Sequence, residues 1–265
     1  KVHALGWLLF LLLVGCGRKA EKEPVIPTRA SVKFDHQHAV FGGVLRAIVR
    51  DGLVDYPSLA PQLSALREYL ENAARLPRVQ FDDWTAPQRL AFLVNIFNAN
   101  TLKLIAEEKP KETVNSIGGL RSPWKLKVVR LFGAKWSLDT LEHEWMRKQF
   151  QSPQIHFALV CGARSCPPLR REPFTAANLE QQFADQALRF LRDTDKNRVD
   201  LENQVVHLSE IFKWYARDFG KSDAELLRFI ASSFPKETAL QLRRGNFRIQ
   251  YLKYDWSLNQ SLQGK

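Results

Sequence analysis

One short stretch of the chain, residues 155–169, concentrates the side chains that could do chemistry. It reads Ile-His-Phe-Ala-Leu-Val-Cys-Gly-Ala-Arg-Ser-Cys-Pro-Pro-Leu and holds His156 together with Cys161 and Cys166. The apolar run is rich in strand formers and stops at a glycine, which predicts a strand over 155–161. Because proline restricts the residue before it to extended conformations, we expect Cys166 to be held stiffly in the loop that follows.

The first hypothesis from these residues is a cysteine-dependent hydrolase or acyl transferase. Such an enzyme needs a thiolate, a histidine that takes up its proton, and a third group that orients the histidine. Cys166, His156 and Glu142 are the residues that we expect in these roles. Cys161 is the alternative nucleophile, but strand alternation places its side chain on the core side with Phe157.

Two amides, Asn95 and Asn98, belong to the same question. They lie three residues apart on a helix predicted over 88–108, whose first half is almost entirely apolar and is therefore expected to be buried. A buried amide without hydrogen-bond partners costs about 1–3 kcal/mol, so both amides need partners. They either tie down neighbouring backbone or donate to the developing oxyanion of the catalytic site.

A second predicted helix, over residues 138–150, carries Glu142. At the helical period this glutamate falls in the middle of an apolar arc that includes Leu141 and Trp145. Carboxylates are rarely buried without a partner. Glu142 is therefore expected either to serve the site or to pair with a core arginine.

The second hypothesis is a non-enzymatic binding module in which Cys161 and Cys166 form a disulfide. In an oxidising compartment this is the plainest use of two thiols, although closing so short a loop contributes only roughly 2 kcal/mol. A third hypothesis is a zinc site made from His143, His156, Glu142 and a thiol. Because the spacing matches no compact zinc motif, we assign no metal ligand and expect no cofactor.

The N-terminus predicts export. A lysine and a histidine precede an apolar stretch that is short for a membrane span, which is typical of a signal peptide over residues 1–15. The stretch closes with Leu-Val-Gly-Cys, which resembles a bacterial lipobox and implies lipidation of Cys16. Gly17 in place of aspartate resembles lipoproteins sorted to the outer membrane. We therefore expect the protein on the periplasmic face of that membrane, with a peptide, peptidoglycan or another envelope protein as its ligand.

Composition and charge set the remaining boundaries. Residues 16–34 are charged and proline-marked, which indicates a flexible tether. Residues 35–260 are expected to form a single domain, followed by a tail over 261–265.

The formal net charge of +11 is scattered without a long basic run. It predicts a solvated cationic surface and argues against a nucleic-acid partner.

Helical patterns with capping residues dominate the chain, and extended patterns are confined to short pieces such as a hairpin over 199–208 and a strand over 247–252. This pattern predicts the α+β class: a single globular domain of several helices around a small, mostly antiparallel sheet.

Several blocks of the sequence together resemble the bacterial and plant proteins grouped as domain of unknown function 547. These blocks are residues 91–99, 138–143, 156–169, 211–219 and 251–259. They cover most of residues 35–260, and the block that runs from the histidine to the two prolines is the most specific. The resemblance implies the limits of the domain but no assigned activity. Phe97 stands where the family leads us to expect a tyrosine, which removes one hydroxyl from the expected site.

Overall fold

One long helix, Ala86–Glu108, lies at the centre of the fold in a computed structural model that describes residues 31–119 and 121–261. It begins with a complete capping box, in which Thr85 and the glutamine three residues later satisfy each other's backbone N–H. Every residue over 90–102 is buried. The central helix is therefore covered on all sides, as its continuous apolar sequence predicts.

Helix Leu63–Ala74 and the helical residues 138–147 pack against the central helix, and most of the other helices are short. The α-helices are Ala39–Ile48, Tyr56–Leu59, Leu63–Ala74, Arg78–Asp82, Leu138–Thr140, Lys148–Phe150, Ile155–Ala158, Leu179–Leu191, Ile211–Trp214, Ala216–Phe219, Asp223–Ala231 and Lys236–Arg243. A π-helical segment spans Leu141–Arg147, and 3-10 turns span Ala60–Gln62, Val114–Ser116 and Pro123–Lys125.

The strands are few and short, and the α+β class is confirmed. They are Val49–Arg50, Leu53–Val54, Val129–Leu131, Ala134–Trp136, Arg198–Asp200, Val205–Ser209 and Arg248–Leu252. Among the described residues they form three separate sheets rather than one. Pairing is antiparallel except between the last two strands, which run parallel. Strands this short cannot cover a core by themselves, so the helices cover it.

The stretch that carries His156 is not a strand. Residues Ile155–Ala158 form a single helical turn, and the backbone is extended only after it. The predicted strand over 155–161 is therefore wrong. All residues from 155 to 160 are buried, so burial does not alternate along the run as it does in a half-exposed strand. A short apolar run without alternation fits a buried helical turn as well as a buried strand.

Residues 138–150 are helical, as the sequence predicts, but the middle of this helix is the π-helical segment, Leu141–Arg147. A π-helix bonds residues five apart instead of four, so Glu142 and Arg147 are brought to the same part of the surface. Segments of this kind occur frequently at functional sites.

The buried apolar side chains form one continuous cluster. Leu93 and Phe97 of the central helix belong to it together with Phe157 and Leu159, and all four are buried. From Ser31 onward the described residues form one compact unit. None of the helices described is both long and apolar enough to cross a membrane.

Candidate functional site

A cavity of about 320 Å³ brings together most of the residues that the sequence singles out for chemistry. His156, Glu142, Cys161 and Cys166 all line it. The other walls are mainly aromatic and come from Phe97, Trp124, Trp214, Tyr215, Tyr254 and Trp256. We call this space the aromatic cavity.

Three of these rings form a platform. Trp214 and Trp256 are stacked with their centroids 5.6 Å apart, and Tyr254 lies 4.8 Å from Trp214 and 4.5 Å from Trp256. Trp214 is 44% exposed although it is a large apolar side chain. Trp256 is half-buried and Tyr254 is buried, so the platform presents mainly the Trp214 ring to solvent at the cavity.

His156 is held in a fixed orientation at the cavity wall. Its side chain is 2% exposed, its Nε2 lies 2.7 Å from Oδ2 of Asp218, and its ring is stacked on Tyr215 at a centroid distance of 3.9 Å. Asp218 belongs to the four-residue helix Ala216–Phe219. Asp218, rather than the predicted Glu142, is therefore the group that orients the histidine.

Arg147 holds Asp218 in turn. Its Nε and NH2 donate to the two carboxylate oxygens at 2.6 and 2.8 Å, and its NH1 donates to Nδ1 of His143 at 2.8 Å. A bidentate arginine–carboxylate pair of this kind fixes the plane of the carboxylate. The chain His143–Arg147–Asp218–His156 thus links the π-helical segment to the histidine.

The charges in this network follow from these contacts. Hydrogen bonds from Arg147, together with the contact to His156, lower the pKa of Asp218 to about 2. Burial lowers the pKa of His156 to about 4, although Asp218 acts in the opposite direction. At neutral pH Asp218 is therefore ionised and His156 is uncharged. Because a carboxylate can only accept, Nε2 of His156 carries the proton and Nδ1 is left as an acceptor.

Glu142 lies on the other side of the ring. Its Oε1 is 3.9 Å from Nδ1 of His156, which is longer than a hydrogen bond. Burial raises the pKa of Glu142, and a hydrogen bond with Tyr215 and the nearby Arg147 partly offset this. Glu142 is therefore easier to protonate than an exposed glutamate, and its carboxyl group accepts the hydrogen bond of the Tyr215 hydroxyl.

The two cysteines are joined in a disulfide, with their Cα atoms 6.2 Å apart. The N–H of Cys161 donates to Sγ of Cys166 at 2.9 Å, and the Tyr254 hydroxyl lies within 3.4 Å of both sulfurs. A sulfur in a disulfide is not a thiolate, so Cys166 is not poised as a nucleophile in this state. The expectation that Cys161 faces the core is wrong: Cys161 is half-buried at the cavity, and Cys166 is the buried one.

Asn95 and Asn98 are committed to the backbone. Asn95 donates to the Phe174 carbonyl and accepts from its N–H, at 2.7 and 3.0 Å. Asn98 donates to the Ala158 carbonyl and accepts from the Val160 N–H, both at 2.9 Å. Neither lines the aromatic cavity. The contacts thus do not support a role as oxyanion donors. They agree with the other expectation from the sequence, in which the two amides tie neighbouring backbone segments to the central helix.

Sequence reasoning does not identify Asp218, Arg147, Tyr215 or Tyr254 as site residues. A signal exists for some of them: Arg147 follows His143 by one turn in the predicted helix, and Asp218 and Tyr215 lie in residues 211–219, one of the blocks on which the family resemblance rests. Their meeting at His156 depends on packing between segments that are distant in the chain. Pattern reading within one segment cannot supply that information.

Other features add little to the site. In the described part of the chain, no group of three or more His, Cys, Asp or Glu residues is arranged to hold a metal ion. A larger groove of about 1010 Å³ beside Leu179–Leu191 contains no histidine or cysteine. The predicted signal peptide, the lipidation site Cys16 and the tether up to residue 30 lie outside the described residues.

Comparison with known proteins gives one result. No curated protein and no solved structure matches the chain. Residues 81–191 match the family model described as "Protein of unknown function, DUF547". This range includes the central helix, the π-helical segment and the disulfide loop, and it ends before Asp218. The chain therefore carries a DUF547 domain.

Proposed function

We propose that this domain is a disulfide-stapled binding module of the cell envelope and that its aromatic cavity binds peptidoglycan glycan strands. The observation that carries the proposal is the platform of Trp214, Tyr254 and Trp256 above a set of fixed polar groups. Binding sites of small polar ligands combine such aromatic walls with a few well-placed donors and acceptors.

The polar groups favour an uncharged ligand. Asp218 is neutralised by Arg147, and His156 is uncharged at neutral pH. Burial raises the pKa of Glu142, so its charge is more easily lost than that of an exposed glutamate. Amino sugars offer hydroxyl and amide groups for these residues and flat apolar faces for the aromatic rings.

Co-sedimentation with purified peptidoglycan sacculi tests the proposal, followed by titration with a soluble muropeptide monitored by tryptophan fluorescence. Trp214→Ala should weaken binding by about tenfold or more, because exposed aromatic anchors carry much of the energy of such contacts. Leu240→Ala is the matched control, since Leu240 is 52% exposed and does not line the cavity. Its binding should equal that of the wild type.

Two results would count against this proposal. If the wild type does not sediment with sacculi, the ligand class is wrong. If Trp214→Ala binds as well as Leu240→Ala does, the platform is not the binding surface. Thermal unfolding of both variants shows whether a loss of binding reflects a loss of fold.

The second candidate function is the cysteine-dependent hydrolase or acyl transferase, in the reduced form of the chain. The observation in its favour is that both sulfurs and His156 line one cavity. An imidazole whose Nε2 is bound to a carboxylate, with Nδ1 left as an acceptor, is prepared to act as a general base. The catalytic set would then be Cys166 and His156 with Asp218 as the orienting group, and Glu142 beside them.

Labelling of the reduced chain by an electrophilic probe such as iodoacetamide tests this candidate. The variants are made in a Cys161→Ser background, so that Cys166 is the single thiol of this loop. There His156→Ala should slow labelling of Cys166, and Asp218→Asn should slow it more than Glu142→Gln does. Labelling of Cys166 that is as fast in His156→Ala as in the parent chain would exclude the enzyme.

We also propose that the domain is tethered to the outer membrane through lipidated Cys16. The lipobox resemblance and the tether composition support this proposal, and peptidoglycan lies within the same compartment. The tether places the binding module near its ligand without requiring a membrane-spanning helix.

A further inference from the structure

We infer that the Cys161–Cys166 disulfide is an active thiol–disulfide exchange centre that oxidises a dithiol ligand. Cys161 is the sulfur that is attacked, and Cys166 is the leaving group. The inference goes beyond the binding and acyl-transfer functions proposed above. It rests on the exposure of the two sulfurs and on their hydrogen bonds, and not on the identity of the glycan ligand.

The two sulfurs differ in access. Cys161 is half-buried and lines the aromatic cavity. Cys166 is 4% exposed, although it lies between the aromatic cavity and a second cavity of about 420 Å³. A thiolate that enters the aromatic cavity therefore reaches Cys161 more easily than Cys166.

The two sulfurs also differ in their hydrogen bonds. Sγ of Cys166 accepts from the N–H of Cys161 at 2.9 Å, and the Tyr254 hydroxyl lies 3.3 Å from Sγ of Cys166 and 3.4 Å from Sγ of Cys161. Burial raises the pKa of Tyr254, so its hydroxyl keeps the proton that it donates. When the bond between the sulfurs breaks, the Cys161 N–H and the Tyr254 hydroxyl can both donate to Sγ of Cys166, and such donors stabilise the thiolate that forms there. A thiol with a lower pKa is a faster leaving group.

The reaction balances with a dithiol as the reductant. One thiolate of the ligand attacks Sγ of Cys161, the bond between the two protein sulfurs breaks, and its electron pair passes to Sγ of Cys166. The ligand's second thiolate then attacks its own sulfur in the mixed disulfide and releases Cys161 as a thiolate. The ligand leaves as a disulfide, and solvent supplies the protons that the two cysteines take up.

The site of attack can be located on the wild-type chain. Limiting glutathione forms the mixed disulfide, acid stops exchange, and a maleimide blocks the free thiols. Trypsin cleaves after Arg164 and separates the two cysteines, so mass spectrometry shows which peptide carries glutathione. We expect glutathione on the Cys161 peptide at about tenfold excess or more, because the accessible sulfur is attacked. Equal labelling, or an excess on the Cys166 peptide, would overturn the assignment.

The role of Tyr254 as a positioning donor is tested with Tyr254→Phe, and Tyr69→Phe is the control. Tyr69 is also buried, but its hydroxyl bonds His38 at 2.7 Å and does not line the aromatic cavity. Tyr254→Phe should slow reduction by dithiothreitol about tenfold, which is the usual scale for one hydrogen bond to a charged group. Tyr69→Phe should leave this rate unchanged.

A pH profile separates this role from a structural one. In the reduced chain, alkylation of Cys166 should have its midpoint below the ordinary thiol pKa of about 8.5, and Tyr254→Phe should move it upward. A wild-type midpoint at or above the ordinary value would overturn the inference, even if the variant fails to fold. A chain that binds sacculi but exchanges slowly would contradict this inference alone.

Discussion

His156 lies between two carboxyl groups that have different roles because their surroundings differ. Asp218 is 24% exposed and held by Arg147, so it remains ionised and accepts the histidine N–H. Glu142 is mostly buried beside Tyr215, and burial raises the pKa of its carboxyl group. Asp218 thus orients the ring through Nε2, while Glu142, with its raised pKa, lies on the Nδ1 side.

The buried histidine makes stability depend on pH. The pKa of His156 falls from its ordinary value of 6.5 to about 4 in the folded chain. As the pH drops from 6.5 to 4, the unfolded chain takes up a proton that the folded chain does not, so stability falls. The loss from this residue is on the order of 3 kcal/mol.

His156→Gln should flatten this pH dependence, because glutamine can still donate to Asp218 but does not titrate. Urea unfolding at pH 7, 5.5 and 4.5 measures it. His38, whose pKa burial also lowers to about 4, accounts for a residual slope. An unchanged slope in His156→Gln would show that His156 is not buried as a neutral group.

Asn98 should stabilise the folded chain through its two hydrogen bonds to the segment that carries His156. Asn98→Ala removes two hydrogen bonds and leaves the Ala158 carbonyl and the Val160 N–H buried without this partner. We expect the free energy of unfolding to fall by about 2–4 kcal/mol. The matched control is Asn100→Ala on the same helix.

Asn100 is also buried, but its amide bonds only the Ile96 carbonyl of its own helix. Its loss should therefore cost less than about 1.5 kcal/mol in the same denaturation experiment. Equal losses in the two variants would mean that Asn98 does not hold the segment that carries His156.

At the scale of elements, the disulfide loop depends on one glycine. Gly162 has a φ of +80°, and a Cβ at this position would lie 2.3 Å from Cδ1 of Ile105 on the central helix. Gly133 has a similar φ of +76°, with no atom within 4 Å of its Cβ position. Comparing alanine substitutions at Gly162 and Gly133 therefore separates the cost of a positive φ from the cost of the collision with Ile105.

Gly133→Ala should lower the free energy of unfolding by about 1–2 kcal/mol, the cost of a left-handed non-glycine residue. Gly162→Ala should cost about 1–3 kcal/mol more, because the methyl group also overpacks the contact with Ile105. Denaturant titration of both variants measures this difference. Similar losses would show that the loop can move away from the central helix.

The π-helical segment is the other element that shapes the site. It carries Glu142 and Arg147, which contribute to the two carboxyl environments around His156. An ordinary helix over the same residues would align side chains four apart instead of five, and this pair would diverge. The local winding of the helix is thus part of how the site is assembled.

At the scale of the whole molecule, the proposed anchor is tested in cells that express the chain with its leader. Cys16→Ser should release the protein from the membrane fraction into the soluble periplasmic fraction, because the thiol that would carry the lipid is gone. Fractionation and immunoblotting measure this. If Cys16→Ser stays membrane-bound at the mature size, the lipobox interpretation is wrong. An unrelated outer-membrane protein serves as the fractionation control.

The sequence by itself determined the α+β class, the capped and buried central helix, and the helix over 138–150. These features depend on interactions within a few residues: capping hydrogen bonds, helical periodicity and continuous burial. The sequence also selected His156, Glu142, Cys161 and Cys166, which the fold brings to one cavity.

Only the tertiary structure decided which group orients His156, which sulfur is exposed, and what the two amides bind. Asp218 lies 62 residues from His156 in the chain, and its contact exists because short helices pack against one another. Residues Ile155–Ala158 form a helical turn, and at its end Asn98, rather than a sheet partner, binds the Ala158 carbonyl and the Val160 N–H. Local patterns limit what each segment can form, but the contacts between distant segments are set by packing.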